Sequence, residues 1–257
     1  MSNSKYKIGI IGGGVVGQAM ASFFDGAKLY DKFKSLDSIA DVLAQDVIFV
    51  CVPTPYNNGF DRSVLDDVFG NFKDLSDKII VIKSTSLPGT TDFYQEKFPR
   101  LKILFNPEFL SEKTAAEDFL KPDKQIVGYT DKSQPDAELV LSLLPSAPYK
   151  KIMPAKAAEL VKYAINSFYA TKVIFGNWLY DLSESLGVDY NQLKEAFVSD
   201  QRITDSHFDV WHGGYRGFGG KCLPKDLKSI KDFTTALGLD AALLEAVDEM
   251  NSKYKKI

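Results

Sequence analysis

The stretch Ile8-Gly9-Ile10-Ile11-Gly12-Gly13-Gly14-Val15-Val16-Gly17 decides the fold. It joins an apolar run, Lys7–Ile11, that reads as a strand to a helical pattern that runs through Phe24. Between them lies Gly12-x-Gly14-x-x-Gly17. An acid, Asp31, follows 19 residues after Gly12, at the end of a second short strand, Lys28–Tyr30. Strand, glycine turn, helix, strand and acid together form the dinucleotide-binding fingerprint. Gly12 allows the tight turn, Gly14 lets the backbone approach a pyrophosphate, and Gly17 lets helix and strand pack closely. Val15 and Val16 open the helix, whose free N–H groups and positive dipole end face the phosphates. Asp31 takes the ribose hydroxyls. A carboxylate there repels a 2′-phosphate, so NAD is expected rather than NADP.

Outward from this motif, the first ~150 residues alternate strand and helix patterns, which predicts a doubly wound, parallel Rossmann sheet. Asp46–Val52, Lys78–Ile82 and Lys102–Phe105 read as central strands, apolar on both faces. Gln125–Gly128 and Tyr149–Ile152 read as later edge strands. The texture changes after Met153. Pro154, suited to a first turn, opens one long helix to Leu186, and Gly187 stops it. That helix is apolar almost all round, so it is expected to be buried, by its own domain or by a partner. Shorter helices are expected over Tyr190–Val198, Leu223–Ala236 and Ala241–Lys253. Two domains follow: residues 1–153, binding the dinucleotide, and residues 154–257, a smaller all-helical domain.

Composition removes other classes. The chain has 257 residues, 45% hydrophobic and 25% charged, with net charge −3. It is an ordinary globular composition without the basic footprint of a nucleic-acid binder. No apolar run approaches the ~20 residues that cross a bilayer, and residues 1–7 are too short and polar for a signal peptide. Two cysteines, Cys51 and Cys222, make no disulfide framework and no metal spacing. A reducing, cytoplasmic setting and no metal are expected. His207 and His212 are read as ordinary polar or structural residues.

Two polar constellations stand out. Lys162 and Asn166 are i,i+4 on the long apolar helix, sharing a face with Glu159. An ammonium there needs a partner. It either forms a structural ion pair or donates to a developing alkoxide, with Asn166 orienting a hydroxyl. Gly217-Phe218-Gly219-Gly220-Lys221-Cys222-Leu223-Pro224-Lys225-Asp226 puts Cys222 at a helix start. The helix dipole, Lys221 and Lys225 favour its thiolate; a packed cap cysteine is the alternative. Asp226, one turn on, holds a water or pairs with Lys162. Cys51, inside an apolar strand, reads as a small buried hydrophobe. A dinucleotide, a nucleophilic thiol, a lysine and nearby carboxylates suit a double oxidation. An alcohol becomes an aldehyde, the thiolate captures it, a second hydride leaves, and water cleaves the thioester.

The chain closely resembles the UDP-glucose/GDP-mannose 6-dehydrogenase family. Six motifs carry the resemblance in family order: Val52-Pro53-Thr54-Pro55; Ser84-Thr85-Ser86 with Pro88-Gly89-Thr90; Asn106-Pro107-Glu108-Phe109-Leu110-Ser111-Glu112; Glu159-x-x-Lys162-x-x-x-Asn166; Asp200-Gln201-Arg202-Ile203; and Gly217 to Asp226. One family proline is Leu87 here.

The resemblance implies NAD as cofactor, with Pro53, Thr54 and Thr85 beside it, and oxidation of a nucleotide-sugar 6-hydroxyl to the uronate. Cys222 is then the nucleophile and Lys162 the oxyanion stabiliser. Asn166 and Asp226 orient oxygens, Thr85 lies near a catalytic water, and Glu108 or Glu112 handles protons. Glu108, Phe109, Leu110, Glu112, Lys162, Asn166, Phe218 and Gly219 line the sugar, and Arg202 reaches a neighbouring subunit's site. The Pro-Lys-Asp ending favours UDP-glucose, with GDP-mannose the alternative. The family's third, nucleotide-gripping domain is absent after Asn251, so a short form is implied. A single-step hydroxyacid dehydrogenase, which shares the Lys/Asn helix, and a non-catalytic NAD-binding regulator are the competing readings. A homodimer through the helix over 154–186 is expected.

Overall fold

The structure, a computed structural model, describes residues 5–110, 114–212 and 214–254. The chain divides into two compact units, Met1–Lys162 and Tyr163–Ile257.

The first unit is built on β1 (Ile8–Ile11), β2 (Lys28–Tyr30), β3 (Val47–Val50), β4 (Ile79–Ile82), β5 (Lys102–Phe105), β6 (Lys124–Tyr129) and β7 (Tyr149–Pro154). They form one sheet in the order β2-β1-β3-β4-β5-β6-β7. The helices between them are α1 (Val15–Phe23), α2 (Ile39–Leu43), α3 (Ser63–Gly70), α4 (Thr90–Lys97), α5 (Ala115–Leu120) and α6 (Ala137–Leu143). Side chains alternate along each strand, so both faces of a central strand must be covered. Ile48 and Val50 of β3 join a core with Leu65, Phe69 and Tyr94 of α3 and α4. Val47 and Phe49 join the opposite core, with Met20, Phe24 and Phe119. This is the expected doubly wound Rossmann architecture.

Two details differ from the expectation. The sheet is parallel except where β6 runs antiparallel to β5, and β7 follows β6. The segment read as an edge strand, Gln125–Gly128, is therefore interior; Ile126 and Val127 are buried on opposite faces. Pro154 ends β7 instead of opening the helix.

The long helix, α7 (Ala155–Leu186), begins in the first unit and continues into the second. Ala155 and Ala158 pack into the core against the sheet. In the second unit α8 (Tyr190–Val198), α9 (Leu223–Ala236) and α10 (Ala242–Lys253) follow. Ala170, Val173 and Ile174 of α7 form the helical core with Phe218, Leu227 and Val247. One stripe of α7 is not covered: Phe168, Phe175, Trp178, Leu182 and Leu186 are all exposed. Its own unit thus buries part of the helix, one of the two coverings expected. Residues of α9 and α10 pack against one side of it, and the stripe stays exposed. Among the described residues, no helix is long and apolar enough to cross a membrane.

Candidate active-site clusters

In the first unit the glycine loop has the geometry its sequence requires. Gly12 has φ +108°, and a Cβ on it would meet the Cys51 carbonyl oxygen at 2.5 Å. A Cβ on Gly17 would lie 1.9 Å from the Gly12 carbonyl oxygen. Neither position admits another residue without moving backbone. Gly14 is the N-cap of α1 and makes no side-chain cap, while nothing lies within 4 Å of a Cβ built there. Space is thus open beside Gly14 at the helix start, where the N–H groups of Val15, Val16 and Gly17 lack intrahelical acceptors. That suits a pyrophosphate.

Asp31 sits against this loop. Its carboxylate accepts the Phe33 N–H at 2.9 Å and the Gly13 N–H at 2.7 Å. Those two bonds, Phe33 foremost, hold its carboxyl below the usual range, with Lys34 adding to the effect. It is a fixed anion at the nucleotide end of the loop. Thr54 is buried and donates its hydroxyl to the Thr85 carbonyl at 2.7 Å, joining two of the expected cofactor-side residues; Pro53, beside it, is exposed. Cys51 packs its sulfur 3.6 Å from that of Met20, and burial pushes its thiol up to about 12. It packs as a partly buried hydrophobe just past β3, where the sequence suggested a fully buried one inside the strand.

Lys162 meets Glu108. Its ammonium donates to the Glu108 carboxylate at 3.1 Å and to the Glu108 carbonyl at 2.8 Å. The other carboxylate oxygen accepts the Leu110 N–H at 2.9 Å. Lys162 is 5% exposed, and its ammonium lies 5.7 Å from the Phe109 ring centre. An ammonium and a carboxylate are thus held together, with the aromatic Phe109 beside them. Glu112 lies outside the described residues.

Sequence reasoning placed Glu159 on the Lys162 face but not its partners. Its fully buried carboxylate accepts the Gly89 N–H at 2.6 Å, the Thr91 N–H at 2.8 Å and the Thr91 hydroxyl at 2.6 Å. It caps α4 and so holds the turn after the Ser84–Ser86 loop. Burial outweighs these bonds and pushes its carboxyl up to about 7. A folded pKa above the unfolded value means the native state binds this proton more tightly. The stability it contributes is full below about pH 4.5 and is lost as pH rises towards 7, about 3 kcal/mol in all. Urea midpoints should fall across that window, and Glu159→Gln should flatten the slope. An equal slope in both proteins would contradict the assignment.

The second unit holds the other candidates. Cys222 is exposed, in no disulfide, and is the N-cap of α9. Its carbonyl accepts the Asp226 N–H at 2.9 Å, and Pro224 stands in the first turn. Asp226 is 1% exposed. It accepts the Asn166 amide at 2.5 Å and the Lys225 ammonium. The partners of Lys162 and Asp226 are therefore Glu108 for the first and Asn166 with Lys225 for the second. Phe218 buries its ring in the helical core, and its backbone is clamped at both N–H and carbonyl by the Asn251 amide. That clamp anchors the glycine-rich approach to Cys222; Gly219 packs against Tyr215. Arg202 is exposed and paired with Asp200 at 2.5 Å. His207 stacks on Tyr169 at 4.0 Å. Among the described residues no cluster of His, Cys, Asp or Glu could hold a metal ion.

Lys83 escaped the sequence reading, and Asn106 was quoted there only as part of its motif. Lys83 follows the buried run of β4, is 4% exposed, and donates to the Asn106 carboxamide oxygen at 2.6 Å. The signal was a lysine closing an otherwise apolar strand.

A Rossmann sheet with this glycine loop and Asp31, followed by a helical unit, defines an NAD-binding protein of the dehydrogenase class. Residues 30–143 match the NAD-binding domain of the UDP-glucose/GDP-mannose dehydrogenase family, and residues 156–253 match its central domain. The chain belongs to that family. It is 32% identical over 219 residues to the UDP-glucose 6-dehydrogenase of Rickettsia bellii, covering 81% of this chain and 49% of the relative. It is 32% identical over 251 residues to that of Pseudomonas aeruginosa, covering 91% and 53%. The structure of a UDP-glucose dehydrogenase from the hyperthermophilic archaeon Pyrobaculum islandicum matches with TM-score 0.86 at 28% identity, over 98% of this chain and 69% of that one. The chain spans about half the length of the curated relatives it matches.

Proposed function

We propose that the chain oxidises the 6-hydroxyl of a nucleotide sugar, UDP-glucose foremost, to the uronate through a thioester on Cys222. The observation that carries this reading is an exposed cysteine heading α9, one turn before the buried Asp226 that Asn166 and Lys225 hold. Residues 1–153 act as the NAD-binding domain and 154–257 as the central domain.

NAD, held by the Gly12–Gly17 loop, Asp31 and the Thr54–Thr85 pair, supplies the hydride acceptor for both oxidations. The rest of the chemistry falls to side chains. The hydroxyl proton passes to water in the first oxidation, and Lys162 stabilises the developing oxyanion. The Cys222 thiolate adds to the aldehyde carbon; a C–S bond forms as the C=O π bond opens, and the electron pair rests on oxygen as an alkoxide. That adduct carries the alkoxide that a free aldehyde lacks, so a second hydride can leave and a thioester remains. Water, deprotonated by a carboxylate for which Glu108 is the candidate, then breaks the C–S bond to give carboxylate and thiolate; orienting a reacting oxygen is the role assigned to Asn166 and Asp226.

Absorbance at 340 nm should rise with NAD and UDP-glucose, and not with free hydroxyacids. Signal only with hydroxyacids would support a single oxidation. Silence throughout, with NAD binding intact by calorimetry, would support a regulator.

The exposed stripe of α7 supports a symmetric dimer. Phe168, Phe175, Trp178, Leu182 and Leu186 recur at helical spacing, and an apolar face of that kind is normally covered. Light scattering should give twice the 28.6 kDa chain mass. Trp178→Glu with Phe168→Glu should give the monomer. A wild-type monomer would contradict the dimer.

A further inference from the structure

We propose that Lys83 is a positioning residue: through Asn106 it fixes the loop that presents Glu108 to Lys162. The claim concerns the geometry of that pair, and only its effect on turnover rests on the dehydrogenase reading.

Lys83 closes β4, whose four residues Ile79–Ile82 are all buried. An ammonium there is costly unless something holds it, and burial pulls this one down to about 8. Glu108 lies near enough to favour its charge, and Lys162 near enough to oppose it. Lys83 thus sits close to the Glu108–Lys162 pair, yet its ammonium donates at 2.6 Å to a neutral group, the Asn106 carboxamide oxygen. Its own N–H donates to the Val50 carbonyl at 2.8 Å, so its backbone is fixed to β3.

Asn106 is fully buried and ties three strands together. Its N–H donates to the Ile82 carbonyl at 2.9 Å, at the end of β4. Its amide donates to the Ile126 carbonyl of β6 at 2.8 Å, and it directly follows β5. The next residue, Pro107, has no N–H, and Glu108 comes after it. The Asn106 side chain is therefore the anchor from which the loop leaves the sheet. Its carboxamide oxygen is turned to Lys83, and that contact orients the amide towards Ile126. Without the ammonium, a buried acceptor is left unsatisfied. The loop then relaxes at its root, two residues before Glu108. A role in general packing would weaken the whole sheet; a positioning role loosens 106–110 first.

The Leu110 N–H, bonded to the Glu108 carboxylate at 2.9 Å, reports the position of that carboxylate. The test is hydrogen exchange on the full chain, read by mass spectrometry on peptides over 106–110 and over β3, β4 and β5. Lys83→Met should speed exchange at 106–110 at least tenfold and leave the three strands near wild type, and Lys162→Met should give the same local pattern. Unchanged protection at 106–110, or loss spread evenly over the strands, would overturn the proposal. If Lys83→Met does not fold, Lys83→Met with Asn106→Leu replaces both ends with apolar groups and keeps the sheet. That pair should still expose 106–110, and wild-type protection there would overturn the proposal equally. In turnover, Lys83→Met should lower kcat at least tenfold and leave the NAD Kd unchanged. If wild type makes no NADH from any nucleotide sugar, the dehydrogenase reading fails while the exchange result still decides the role of Lys83.

Discussion

Cys222→Ser is expected to remove net uronate formation by ~10³-fold or more, because it removes the atom on which the proposed mechanism forms the thioester. A serine hydroxyl ionises far less readily than a thiol and makes a poorer leaving group from an ester. Neither capture of the aldehyde nor hydrolysis then proceeds at a useful rate. Fold stability should change by ~0.5 kcal/mol or less, since Cys222 is exposed at the head of α9. Thermal melts should overlay those of wild type while NADH production collapses. Uronate formed at the wild-type rate by the serine variant would remove Cys222 from the mechanism.

The second large effect is expected at Lys162. Its ammonium bonds both the carboxylate and the carbonyl of Glu108 and is almost wholly buried. Lys162→Met strands the Glu108 carboxylate with the Leu110 N–H alone of the bonds described. Breaking a buried pair from one side costs about 3 kcal/mol or more, mostly as the penalty of the abandoned charge. Turnover should fall ~10²-fold or more, since the proposed mechanism aims this cation at a developing oxyanion, an interaction made only in the transition state. Glu108→Gln separates the two effects. It keeps the shape and an acceptor for Lys162, so stability should largely survive, while loss of the base should slow release of the uronate. Urea melts and single-turnover kinetics on both variants check this. A Lys162→Met protein with wild-type kcat would leave the lysine a structural residue only.

The sequence disclosed features that are local and hid those that depend on distant partners. The glycine loop was legible because turn, helix start and acid lie within the 20 residues from Gly12 to Asp31. Each glycine answers a steric demand visible in the spacing, and Gly12 and Gly17 meet that demand against backbone oxygens. The apolar runs of β3 and β4 announced a sheet covered on both faces. The reversal of β6 was not legible, because strand direction depends on how the chain crosses the sheet and not on the Gln125–Gly128 residues themselves. Lys162 read as a buried cation in need of a partner. Its choice of Glu108, 54 residues away, is set by the loop leaving β5, which no spacing reveals. Asp226 shows the same limit: its place one turn after Cys222 was legible, and its bond to Asn166 was not. Lys83 was overlooked because one lysine at a strand end looks like the first residue of a loop. The outward stripe of α7 is the converse case. Its apolar residues were read correctly, but the helical unit leaves one side of the helix exposed.

The most direct measurement of the central claim is the ratio of NADH formed to UDP-glucose consumed, followed to completion at 340 nm with product identified by mass. The account predicts two NADH per sugar and UDP-glucuronate as product. One NADH per sugar, with the aldehyde released, or no NADH at all, would contradict it.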